Sequence, residues 1–219
     1  MSGCTFKGNY SNWGGAVYTN KSGTAAPTVN FTSCIFGGNA EGDANYATTA
    51  SGGAVACDAG IVHFNACTFT KNTATADRSG AIFITNAGTE VYIGDEAVSG
   101  SGGTFTANSA NNGGVITIQN GAQIKIYNGE FSYNTATYHG GILFVNAGSP
   151  IVRLGGNKIH DNSTGRDGGA IAVKGTGGAE PNSPEIYVES GNTFTNNYAP
   201  NGGGAIKLRD EPAKVTTSG

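Results

Sequence analysis

Charge is scarce in this chain. Only 12% of its 219 residues are Asp, Glu, Lys or Arg, with 12 basic against 15 acidic side chains and a formal charge of -3. The basic residues are scattered singly, so no stripe is available to hold a nucleic-acid backbone, and no nucleic-acid partner is expected. Long apolar runs are missing too. No stretch approaches 18 consecutive apolar residues, which argues against direct membrane insertion, and Met1 opens onto Cys4-Thr-Phe6 instead of a basic segment and an apolar run, so no signal peptide is visible. The four cysteines, Cys4, Cys34, Cys57 and Cys67, contain no C-x-x-C pair. That spacing speaks against a zinc ribbon or a thioredoxin-like motif, and neither a metal nor a cofactor is expected.

Glycine is abundant, at 37 residues, and with the many Asn, Thr and Ser it could mark a linker. Periodicity argues otherwise. An anchor of an apolar residue, two variable residues and Asn is followed by two small residues that open an apolar strand. The anchors begin at Phe6, Phe36, Phe69, Phe105, Phe131, Ile159 and Phe194, and their spacings of 30, 33, 36, 26, 28 and 35 residues lie in the range of repeat architectures. The paired small residues are Gly14-Gly15, Gly52-Gly53, Ser79-Gly80, Gly113-Gly114, Gly140-Gly141, Gly168-Gly169 and Gly203-Gly204.

Each repeat holds three runs of period-two alternation. The first follows the small pair, as in Ile82-Phe-Ile84; the second follows a turn, as in Val91-Tyr-Ile93; the third carries the anchor. Three short strands per repeat cannot bury their apolar sides alone, but stacked coils give each strand parallel partners above and below. The expected fold is all-β, a parallel β-helix of about seven coils, with residues 1–219 forming a single domain. Insertions over 41–51, 94–102 and 175–184 should project from the rod. The tail resembles a second strand and the head a third, so the chain reads as a fragment of a longer chain or as a unit that stacks head to tail.

The repeated Asn9, Asn39, Asn72, Asn108, Asn134, Asn162 and Asn197 read as a structural row at one corner, where Asn bonds backbone or its neighbours and tolerates the left-handed conformation. Cys4, Cys34 and Cys67 share the slot two residues before the anchor, as a stack of small buried thiols. A ligand-binding face is expected on the outward side of the second strand. There His63, Tyr92, Lys125, Arg153 and Tyr187, flanked by Asn30 and Thr216, alternate aromatic faces with cations and suit sugars or acidic groups. Catalysis is not expected. His139, His160, Asp161, Arg166 and Asp167 flank adjacent corners, but they read as solvated charges rather than as the paired acids of a polysaccharide-active enzyme. The Thr pairs of Thr68-Phe-Thr70, Thr104-Phe-Thr106 and Thr193-Phe-Thr195 would suit an ice-binding face only in consecutive coils, and Glu130, Ser132, Lys158 and His160 interrupt them.

Together, F-x-x-N and G-G-A-[ILV] resemble the repeats of the polymorphic outer membrane proteins, first described in chlamydiae. The resemblance covers nearly every coil, with Ser79, Val115, Ile142 and Ile159 as departures. It implies a right-handed β-helical passenger domain displayed extracellularly at the bacterial surface by an autotransporter route. It also implies an adhesin-like role, binding glycans or host surface proteins, with a structural spacer or filament subunit as the alternative.

Overall fold

The computed structural model describes residues 1–175, 183–210 and 213–217. Its strands stack in chain order into long parallel sheets, and three of these sheets have seven strands each. The first sheet holds the strands after the small pairs, from Val17–Thr19 through Ile82–Ile84 and Ile116–Ile118 to Ile206–Arg209. The second runs from Thr28–Thr32 to Lys214–Thr217, and the third carries the anchors from Thr5–Phe6 to Thr193–Thr195. In these three sheets the register pairs equivalent repeat positions, as in Phe69 with Phe105 and Ile82 with Ile116. This is the expected parallel β-helix of about seven coils. The insertion expected over 175–184 lies mostly outside the described residues.

A fourth sheet of six strands was not expected. It occupies the segment after each Asn, read as loop from the sequence, and includes Tyr46–Ala47, Thr73–Arg78, Ser109–Asn112 and Thr135–His139. These strands alternate Ala with polar residues rather than Ile or Val with polar residues, so their period is faint. Ala47, Ala74 and Ala110 form a small cluster of their own beneath them.

Inside the rod the anchors form a column of rings. Phe6, Phe36, Phe69, Phe105 and Phe131 stack nearly parallel at centroid separations of 4.7, 4.5, 4.8 and 4.6 Å. Coil spacing in a parallel sheet is about 4.8 Å, so identical side chains at one register position meet face to face. Phe31 and Phe64, from the second sheet, meet this column edge-on.

The Asn row is a buried hydrogen-bonded ladder, with one correction. Its members are Asn9, Asn45, Asn72, Asn108, Asn134, Asn162 and Asn197, and Asn39 is not among them. From Asn9 to Asn162 each Nδ2 donates to the Oδ1 of the next Asn at 2.9–3.1 Å. From Asn45 onward Nδ2 also donates to the anchor carbonyl one coil back, as Asn108 does to Phe69. Asn39 is displaced because the insertion of this coil falls inside the anchor, between Phe36 and the ladder residue. Asp43 clips the insertion by accepting from the Ala40 amide and pairing with Lys7. The triplet Asn45-Tyr-Ala47 matches Asn197-Tyr-Ala199, a signal the F-x-x-N spacing overrode.

A second correction concerns the corner backbone. The left-handed residue is not the Asn but the one before it: Lys71, Ala107, Tyr133, Asp161 and Asn196 all have φ between 53° and 56°. In the small pair the two positions have different jobs. The first holds positive φ, from 56° at Gly14 to 79° at Gly52, and Ser79 holds it at 63°. A Cβ at the second would collide with backbone of the next coil, whereas at the first it would meet the carbonyl three residues ahead in its own coil, a local contact that Ser79 shows the chain can relieve.

Ser79 carries two penalties, a left-handed backbone and a buried hydroxyl with no hydrogen-bond partner among the described residues. Ser79→Gly removes both and should raise stability by about 1–2 kcal/mol, after allowing for the extra chain entropy of glycine. Urea denaturation monitored by circular dichroism checks this, and an unchanged or lower midpoint would count against it.

Candidate functional site

The outward residues of the second sheet line up as expected. Tyr92 pairs in register with His63 on one side and Lys125 on the other, Lys125 with Arg153, and Arg153 with Tyr187. Their contacts run along the axis. His63 stacks on Tyr92 at 4.7 Å and 11°, the Lys125 ammonium lies 5.3 Å from the Tyr92 centroid, and the Arg153 guanidinium lies 4.1 Å from that of Tyr187. Carboxylates complete the row: Tyr92 donates to Glu90, Tyr187 donates to Glu185, and Arg153 pairs with Glu189 at 3.1 Å. The Tyr92 ring is therefore covered by His63 and Lys125 and the Tyr187 ring by Arg153, and Arg153 has a local counter-charge in Glu189. Edges, not faces, point to solvent.

The five corner residues divide into two groups. On the third sheet His160 bonds Asp161 at 2.8 Å and lies 3.4 Å from Glu130. These carboxylates, Asp161 first, raise the His160 pKa above its ordinary value. His139, Asp167 and Arg166 lie elsewhere, on a cleft between the fourth sheet and the outward side of the first. His139 Nδ1 is 3.2 Å from Asp167, and Arg209 lies against the His139 ring and 3.5 Å from the same carboxylate. Burial, then the Arg209 cation, lowers the His139 pKa, although Asp167 pulls the other way.

That cleft has a volume of about 340 Å³ and is lined by Arg78, Arg166, Lys174 and Arg209, with Tyr138 and Phe144 among its walls. Four of the 12 basic residues of an acidic chain thus converge on one place. Arg78 donates to Gln119 and pairs with Asp77, and Arg209 is engaged by Asp167. Among the described residues neither Arg166 nor Lys174 makes a salt bridge, so two cations face the cleft uncommitted. Sequence reasoning missed this convergence because its members come from coils separated by up to 131 positions and acquire meaning only once the register is known.

The cysteines are all free thiols. Burial pushes Cys57 up to about 12 and Cys67 up to about 11, so both stay protonated. The slot shared by Cys4, Cys34 and Cys67 changes character farther along, where Asn157 and Asn192 form a short second ladder through an Nδ2 to Oδ1 bond of 2.9 Å. The Thr pairs adjoin only between Thr68 and Thr104 and between Thr70 and Thr106, since Glu130 and Ser132 take the next register positions. No group of three His, Cys, Asp or Glu suited to a metal ion occurs among the described residues. Among the described residues no helix is long and apolar enough to cross a membrane.

Fold and surface together define a β-solenoid module with ligand-sized clefts between its corners. Residues 3–20 and 193–208 match the model of the Chlamydia polymorphic membrane protein repeat. Each matched segment spans one anchor, its Asn, the small pair and the following strand, so the resemblance rests on the residues that build the ladder and the tight corner. The repeat is that of an outer-membrane protein family, which points to a bacterial surface setting. Neither a curated protein nor a solved structure matches the chain.

Proposed function

We propose that this chain is a non-enzymatic module displayed extracellularly on a bacterial surface, an adhesin-like β-helix that binds an acidic glycan in the cleft between Arg78, Arg166, Lys174 and Arg209. The observation that carries this reading is the convergence of four cations, two of them without a salt bridge among the described residues, beside the rings of Tyr138 and Phe144. Cations on a groove select carboxylate or sulfate groups, and aromatic walls suit sugar rings. The second-sheet row is a poorer platform, because the Tyr92 and Tyr187 rings already stack on His63, Lys125 and Arg153, and Arg153 is paired with Glu189.

A sulfated or uronic-acid oligosaccharide should bind the wild type, and affinity should fall steeply as salt rises. Arg166→Gln with Lys174→Gln should lose at least about tenfold in affinity, whereas Lys7→Gln with Lys71→Gln, which removes the same charge elsewhere, should change it little. Calorimetry over a salt series provides the measurement. Equal losses in the two double variants would reduce binding to bulk charge and refute the cleft, and turnover of the glycan by the wild type would refute the non-enzymatic part.

A further inference from the structure

The outward column of the first sheet reads Tyr18, Ala56, Phe83, Thr117 and Phe144 along the axis. Tyr18 and Phe83 are both in register with Ala56, so two rings stand two coils apart with only a methyl group between them. At about 4.8 Å per coil that is a gap of about 9.6 Å, too wide for the rings to stack on each other. Trp13, from the corner before Gly14, leans over the gap with its ring centroid 5.6 Å from that of Phe83. The result is a slot of about 100 Å³ lined by Trp13, Tyr18, Ala56, Asp58, Phe83 and Thr85, with room for several non-hydrogen atoms.

One end of the slot carries charge. The Asp58 carboxylate accepts hydrogen bonds from the Tyr18 hydroxyl at 3.0 Å and from the Asn86 side-chain amide. Both donors are neutral, and no salt bridge to Asp58 occurs among the described residues, so its negative charge is uncompensated. Trp13 and Tyr18 remain 43% and 47% exposed, an unusual state for large rings beside a buried Phe83.

We infer that this slot is a binding site for a quaternary or otherwise alkylated ammonium group, held between the rings of Trp13, Tyr18 and Phe83 with Asp58 as its counter-charge. Three aromatic walls attract a cation through their quadrupoles, and an alkylated ammonium is weakly hydrated, so it enters without losing a tightly bound water shell. A sodium ion keeps that shell. A neutral sugar would need free hydrogen-bonding groups, but the Thr85 hydroxyl is already engaged by Asn120 and the Asp58 oxygens by Tyr18 and Asn86. The site is separate from the cation-lined cleft and does not depend on it.

Trp13 is the only tryptophan in the chain, so its emission reports on this slot alone. Choline chloride, titrated at constant ionic strength against sodium chloride, should change that emission saturably with a midpoint on the order of 1–10 mM. Its uncharged isostere, 3,3-dimethylbutan-1-ol, should bind at least about tenfold more weakly, and Asp58→Asn should weaken choline by about the same factor. Tyr18→Leu, at an exposed position, should remove most of the response while the circular dichroism spectrum is unchanged. An equal response to the alcohol, or choline binding undiminished in both Asp58→Asn and Tyr18→Leu, would overturn the assignment.

Discussion

Replacing Asn108 with leucine should cost about 4–6 kcal/mol, because a single side chain closes four hydrogen bonds in a fully buried corner. Its Nδ2 donates to Phe69 O and Asn134 Oδ1, and its Oδ1 accepts from the backbone N and Nδ2 of Asn72. Leucine satisfies none of them. Two donors on Asn72 lose their acceptor, the Phe69 carbonyl loses its side-chain donor, and Asn134 Oδ1 keeps only the Asn108 backbone N–H. Each polar group stranded away from water costs about 1–3 kcal/mol, and the corner has no space for solvent to repair the loss. Asn9→Leu, at the exposed end of the same ladder, should cost less than about 1 kcal/mol. Denaturant unfolding of the two variants side by side measures the difference, and similar losses would show that the buried ladder does not hold the corner.

Gly114→Ala is expected to be nearly as damaging, for a steric reason. A Cβ on Gly114 would sit 2.1 Å from the Gly141 carbonyl oxygen and 2.6 Å from that of Thr135, and both belong to the next coil. Neither is the end of a flexible side chain. Relief requires the coils to part at that corner, which loosens the sheet hydrogen bonds on both sides of it, so a loss of about 3 kcal/mol or more follows. Gly113→Ser introduces a larger side chain at the neighbouring residue, yet it should be milder, because Ser79 already occupies the equivalent position one coil earlier with the same left-handed backbone. If Gly113→Ser proves the more destabilising of the two in thermal unfolding, the division of labour within the pair is wrong.

Most of the architecture could be read from the chain because its determinants are local and repeated. The small pair and the Ile or Val strand after it recur at fixed separation, so registers such as Ile82 with Ile116 follow directly. Where reading failed, the determinants were of other kinds. The ladder residue of the second coil was misplaced because Gly37, at φ 85°, leads into an insertion inside the anchor, and Asn39 happens to stand at the right count. The fourth sheet escaped because alanine is a weak marker of burial. Of the surface, the His63 to Tyr187 row was visible as a column, but its contacts with Glu90, Glu185 and Glu189 decide how much of it faces solvent. The cleft and the aromatic slot depend on side chains reaching across coils, as Trp13 does to Phe83, and no spacing in the chain announces such a reach.

The Asn ladder also gives the rod an electrical direction. All six of its amide-to-amide bonds run the same way, with N–H toward the later coil and C=O toward the earlier one. Seven side-chain dipoles therefore add instead of cancelling, and each polarises the next. Reversing a single carboxamide would set oxygen against oxygen on one side and hydrogen against hydrogen on the other, so the orientation is all-or-none along the column. The consequence is a column of side-chain dipoles with a single sense along the rod, in which the orientation of one amide dictates that of every other.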